Sequence, residues 1–273
     1  MMESTLSLRY ADLQAEVGFF LGWGRGNTPP YTDRAWTATQ LQSINVTLAS
    51  GLRRFYFPTL IVNGQTVTHD WSFLQPTSSI TVPTGQQEWE MPDDFAGVNG
   101  IVTVGTSPAQ FPWELRPGNE GTIRQAYQAN STATGRPQMI AFAPIRGTSP
   151  QASNRYKLLV YPITDGEYVF QMTYYVNPDF LSGARPYVYG GASHAETVLA
   201  GCKAAAEEAL NDTSGLWQQR FMERLRSSID QDRRVRPALV GYNGDRSDLY
   251  NRPQQRLGLY GFPTVTVGGV VPG

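Results

Sequence analysis

Lysine, histidine and cysteine are almost missing from these 273 residues. A single cysteine, Cys202, excludes an intrachain disulfide and any cysteine-built zinc site, and it fits a reducing compartment. The two histidines, His69 and His194, stand in neither a nucleophile elbow nor a zinc-binding helix motif. The pattern around them places His69 on the surface before a strand and His194 at a helix start. Charge is also scarce. Asp, Glu, Lys and Arg make up 16%, against roughly 25% in an ordinary soluble domain. A net charge of -1 excludes bulk attraction to nucleic acid or to anionic lipid. No apolar run approaches the roughly 18 residues of a membrane span. The first residues include Glu3, Arg9, Asp12 and Glu16 without an apolar stretch, unlike a secretion signal. No membrane partner, no metal and no cofactor are expected.

What charge there is leans on arginine: of the 22 basic residues only Lys157 and Lys203 are lysines. Arginine tolerates burial in interfaces and pairs bidentately with carboxylates. The rest of the polar surface must come from Gln, Asn, Ser and Thr, a composition suited to protein contacts.

Three textures follow one another along the chain. Tyr10, Leu13, Val17, Phe20 and Leu21 recur at helical spacing until Gly22-Trp23-Gly24-Arg25-Gly26 and Pro29-Pro30 stop the pattern. A second helix starts at Thr37, which with Gln40 makes a capping box. Trp36 and Leu41 take the flanking staple positions, and Leu41, Ile44, Leu48 and Leu52 continue the stripe. From Phe55 to about Tyr175, Gly and Pro separate short runs of Val, Ile, Thr and aromatics. The spacing predicts strands at Trp71–Phe73, Ser79–Val82, Glu88–Met91, Gly100–Val104, Met139–Ala143, Tyr156–Tyr161 and Glu167–Val176. The last alternates most cleanly, with Tyr168, Phe170, Met172, Tyr174 and Val176 on one side. Helix returns from His194 to Leu210 and again from Leu216 to Arg236.

The fold class expected is therefore α+β. N- and C-terminal helices (1–54 and 186–236) form a helical bundle, and residues 55–185 form a central antiparallel β-sandwich or barrel. Residues 237–273 show no periodicity and are expected to be an extended C-terminal arm. Fully extended, 37 residues span up to about 120 Å. Leu249, Tyr250, Leu257, Leu259, Tyr260 and Phe262 make this segment too apolar for a plain solvated linker.

No catalytic constellation emerges. Asp93-Asp94 follows Pro92 without further acids and fits a turn. Gly22-x-Gly24-x-Gly26 follows a helix rather than a strand, so it is not a phosphate cradle. Arg220, Arg224, Arg226, Arg233, Arg234 and Arg236, offset by Glu223, Asp230 and Asp232, could face DNA phosphates or partner subunits; the mixed charges favour a solvated or subunit-pairing face. An enzyme is not expected.

The order of several motifs resembles the head-to-tail adaptor (connector, or tail tubular ring) proteins of tailed bacteriophages. Leu8-Arg9-Tyr10-Ala11-Asp12-Leu13-Gln14-Ala15-Glu16-Val17 is similar to that family's opening helix, and Gln42-Ser43-Ile44-Asn45 to its second. Trp71-Ser72-Phe73 holds the place of a Trp-containing strand. Ser79-Ile80-Thr81-Val82, then Trp89-Glu90-Met91-Pro92-Asp93-Asp94-Phe95, resembles its strand, turn and Pro-Asp-Phe step. Tyr174-Tyr175-Val176-Asn177-Pro178 and the Ala-Glu helix from His194 complete the order, over roughly residues 8–235. The larger β region and the long tail depart from the pattern.

The resemblance implies a structural virion protein, assembled in the host cytoplasm, that forms a ring, commonly of twelve subunits, beneath the portal. The ring would extend the DNA channel and dock tail or nozzle proteins, with genomic DNA passing through without sequence-specific binding. By the same likeness the segment after Pro237 would reach the portal through Leu249, Tyr250, Arg252, Leu257, Leu259, Tyr260 and Phe262. Tyr10, Leu13, Trp36, Leu41, Trp71, Phe73 and Trp89 are the expected fold anchors. Two other readings compete: a tail-completion or stopper ring protein, and a carbohydrate-binding β-sandwich with aromatic platforms.

Overall fold

Helices form where apolar spacing and end caps coincide. The computed structural model describes residues 3–62, 65–105, 113–145 and 155–235. Within them α1 spans Tyr10–Phe20 and α2 spans Ala38–Tyr56. Thr37 caps α2 as its sequence requires: its hydroxyl accepts from the Gln40 amide at 3.3 Å, and its own amide donates to the Gln40 side chain at 2.9 Å. The staple does not form. Leu41 is 38% exposed, and Trp36 instead wedges between Gly18 and Gly26, donating its indole N–H to the Gly24 carbonyl at 3.3 Å. A Cβ on Gly18 would stand 2.8 Å from the indole, so glycine is required there. The long connection between α1 and α2 is thus pinned by its own tryptophan.

The remaining helices are α3 (Glu120–Ala129), α4 (Ala195–Asn211) and α5 (Leu216–Val235). The centre of the helical layer is α4, which packs against α2 and α5, while α1 packs on α2 and α4. The small buried face of α4, with Ala200, Gly201, Cys202, Ala204, Ala205 and Ala206, lets neighbouring backbones come close. Gly51 of α2 lies against it so tightly that an added Cβ would be 2.6 Å from the Cys202 Cα. Leu13, Val17, Ile44, Leu48, Leu52, Phe55, Phe221, Leu225 and Ile229 fill the rest of this core.

The stretch between α2 and α4 holds all twelve strands of the described residues. A hairpin pairs β1 (Thr59–Val62) with β2 (Gln65–Thr68) and joins no other strand among the described residues. One four-stranded sheet runs β3 (Thr77–Val82), β12 (Tyr168–Val176), β5 (Phe95–Val104), β6 (Trp113–Glu114). The other runs β4 (Glu88–Glu90), β10 (Arg155–Tyr161), β9 (Met139–Ile145), β7 (Arg116–Pro117). Both sheets feed one apolar cluster, with Ile140, Leu158 and Val160 from the second meeting Val82, Phe95, Phe170 and Met172 from the first. The alternation along β12 is the physical cause: its even-numbered side chains are buried, while the odd-numbered ones lie nearer solvent.

Four expectations need correcting. The described sheets do not close into a barrel. Pairing is not wholly antiparallel, because β7 runs parallel to β9 and β8 (Thr134–Gly135) parallel to β11 (Ile163–Thr164). The β region contains α3, which the sequence pattern does not announce. Asn119 caps it, accepting from the Thr122 amide at 2.7 Å, and it buries only Ile123 and Tyr127 on β9 and β10. Two apolar positions are too few for a visible period. Finally, Trp71–Phe73 is not a strand. Ser72–Leu74 form a 3-10 turn, held because the Trp71 indole donates to the Phe55 carbonyl at 2.8 Å.

Candidate functional site

The residues with the most chemical character meet at one place, the junction of α5 with the segment before β3. Asp232, near the end of α5, has a side chain only 2% exposed. Its carboxylate accepts from the Ser72 amide at 3.1 Å, from the Ser72 hydroxyl in a short contact, and faces His69 Nε2 at 2.9 Å. His69 is therefore not the surface residue expected; its side chain is 8% exposed and lies edge-on to Trp71. Such burial of a carboxylate is tolerable only with this many donors.

The cluster holds Ser, His and Asp, yet the connectivity is wrong for a nucleophile. In a working triad the histidine stands between the other two and takes the hydroxyl proton. Here the aspartate is in the middle, and the Ser72 hydroxyl spends its proton on Asp232. The arrangement fastens two distant segments together.

His194 stands at the N-terminal boundary of α4, without a side-chain capping bond, among Phe55, Trp71 and Phe73. Burial lowers its pKa from the ordinary 6.5, against the opposing pull of Asp232. Its Nδ1 has no hydrogen-bond partner among the described residues. Burial pushes the Cys202 thiol up to about 12, so it stays protonated and inert. Among the described residues no three His, Cys, Asp or Glu side chains are grouped to hold a metal ion. Asp93 pairs with Arg155 at 2.5 Å, and it lies inside the turn that the Phe95 amide closes by donating to the Pro92 carbonyl.

The helical layer offers a different kind of site. From Ala38 to Leu52, α2 contains no charged residue. Its outward side exposes Leu41 and Val46 (64%), and Phe180 (40%) stands beside them with its ring edge-on to Tyr10. Together with Ala38, Gln42, Asn45, Ala49 and Arg53 they line an open groove of about 480 Å³. The part of this groove formed by α2 is uncharged up to Arg53, which makes it a candidate contact surface.

The outward side of α5 is the opposite. Arg220, Arg224, Arg226, Arg233 and Arg234 are all exposed. Arg224 pairs with Glu196 at 3.0 Å and Arg233 approaches Asp230 at 3.9 Å, while Arg220 lies over the Trp217 ring at 4.9 Å. The other predicted positions scatter. Leu13 and Trp71 are buried core, and Tyr10, Trp36, Phe73 and Trp89 are partly buried against apolar clusters. Leu249, Tyr250, Arg252, Leu257, Leu259, Tyr260 and Phe262 lie outside the described residues. Sequence reasoning missed Asp232, Ser72, Val46 and Phe180. Only the uncharged run along α2 could have signalled the groove.

No helix among the described residues is long and apolar enough to cross a membrane. No curated protein matches the chain. The sequence model of the family described as SU10 adaptor protein matches residues 8–241.

Proposed function

This chain belongs to the SU10 adaptor protein family, a family of phage head-to-tail adaptors, and on that premise we propose that it works without chemistry, as one subunit of a neck ring below the portal. The observation that carries this reading is the apolar outer side of α2, uncharged from Ala38 to Leu52, where Leu41 and Val46 stand exposed beside Phe180. Charged residues are depleted at the core of protein interfaces, and such a face can serve as one of the two complementary faces that each subunit of a ring needs.

In this reading residues 1–54 and 186–236 are the helical part, packed side by side with neighbouring copies. Residues 55–185 form the β-rich part, and 237–273 reach the portal as an arm. The ring, of twelve subunits as the resemblance implies, prolongs the DNA channel and presents a seat for tail or nozzle proteins. Its home is the capsid-tail junction of the virion, after assembly in the host cytoplasm. The α5 arginines face solvent, a neighbouring subunit or the passing DNA.

Cryo-electron microscopy of purified particles is the test. The expected result is density for this chain as a closed ring between portal and tail. Particles lacking the chain at that junction would end the proposal. Density one layer further from the portal would make it a stopper ring instead.

A further inference from the structure

Among the described residues, two uncharged stretches of strand lack a partner on one side. The first is β3. Tyr174 N–H donates to the Pro76 carbonyl at 3.2 Å, and Phe170 stands opposite Ile80 in the same register. In an antiparallel ladder the bonded pairs alternate, so Ser78, Ile80 and Val82 turn their N–H and C=O groups toward β12. Thr77, Ser79 and Thr81 then turn theirs outward, where no strand pairs with them among the described residues. Natural edges are usually guarded by charge, an inward lysine, a bulge or proline. The edge of β3 has none of these along its length. It contains only Thr, Ser, Ile and Val, its pairing with β12 is unbroken, and Pro76 and Pro83 merely bound the slot at its two ends.

The second is the β1–β2 hairpin. It is a two-stranded sheet by itself, and such a ribbon is marginal in water without a third strand. Its sequence, Thr-Leu-Ile-Val and Gln-Thr-Val-Thr, is uncharged and built from strong strand formers.

Hairpin and edge are close in sequence, yet they are not paired with each other. The connection between them is tied down. Trp71 is bonded to Phe55, while His69 and Ser72 are held by Asp232. We propose that the hairpin of one copy adds as a strand to the β3 edge of the next, so that neighbouring subunits share a sheet. Each chain offers one donor ribbon and one acceptor edge, the head-to-tail arithmetic of a ring. This rests on the ring reading above and names its contact.

Cys202 is fully buried, so introduced thiols report without background. Particles are assembled from a mixture of two chains of different mass, one carrying Ser79→Cys and the other Thr66→Cys, and treated with a short bis-maleimide. The expected product contains one chain of each kind. Ser79→Pro removes an outward donor without touching the β12 ladder; Thr81→Lys places a charge on the same edge should the proline chain misfold. Either is expected to cut incorporation into particles at least tenfold, with an unchanged melting temperature. Wild-type incorporation of both edge variants, with no mixed product, overturns the proposal while leaving the ring intact. A product joining this chain to a different virion protein overturns the choice of a second copy. The same cross-linking is run on the purified full chain at high concentration. A mixed product there, with the chain absent from particles, keeps the strand exchange and sinks the ring reading. No product in either setting sinks the strand exchange.

Discussion

The helices α2 and α5 both pack on α4, meeting around Gly201, and they treat charge in opposite ways. Inward, α2 buries Ile44, Leu48, Gly51, Leu52 and Phe55, and outward it carries no charge until Arg53. Outward, α5 is crowded with arginine and acid, and inward it buries one carboxylate, Asp232. Water tolerates the outer side of α5 as it stands. The outer side of α2 gains from being covered, since burying apolar area is worth roughly 25 cal/mol per Å². The two helices therefore present different outer surfaces, one largely apolar and the other charged.

The sharpest way to break this contrast is at the buried charge. Asp232→Ala strands the Ser72 donors and His69, and is expected to cost about 3–5 kcal/mol, measured by urea unfolding. Equal stability would mean the clasp contributes nothing. Next is the inner side of α2. Gly51→Ala drives a methyl into the Cys202 backbone, with an expected loss of about 1–3 kcal/mol. Acid is a gentler probe. His194 has a lowered pKa when folded, so the unfolded chain takes up its proton first as pH falls. Stability is then fully present above the ordinary histidine value and declines as pH drops through the lowered folded one. His194→Phe should flatten that decline in a melting series between about pH 7 and 5. The smallest stability effects are on the outer faces. Val46→Glu and Arg226→Gln should each shift unfolding by less than about 0.5 kcal/mol. They should part company in particles, where Val46→Glu lowers incorporation about tenfold or more and Arg226→Gln does not. Equal behaviour of the two would erase the distinction between the faces.

Local signals served where the cause is local. The Thr37–Gln40 cap and the alternation of β12 are written in neighbouring residues and appear in the fold unchanged. Reasoning failed where the cause is distant. His69 owes its burial to a carboxylate 163 positions away, and Trp71 gives its indole N–H to a carbonyl contributed by α2 instead of joining a sheet. Leu41 misled for a different reason: its spacing is right for the inner stripe, but Trp36 found a better slot between two glycines. Of the candidate site, the uncharged run of α2 was readable, whereas the contribution of Phe180 from a loop after β12 was not.

Helix ends normally fray, because their last carbonyls lack partners. Asp232 sits three residues before the last residue of α5, and unwinding that final turn would strip a carboxylate of its three contacts at once. The end of α5 thus behaves as a rivet. Tension applied from beyond Val235 would be delivered to the loop at His69–Ser72 before the helix could uncoil, so pulling on one end of the chain tugs on the root of the sheet.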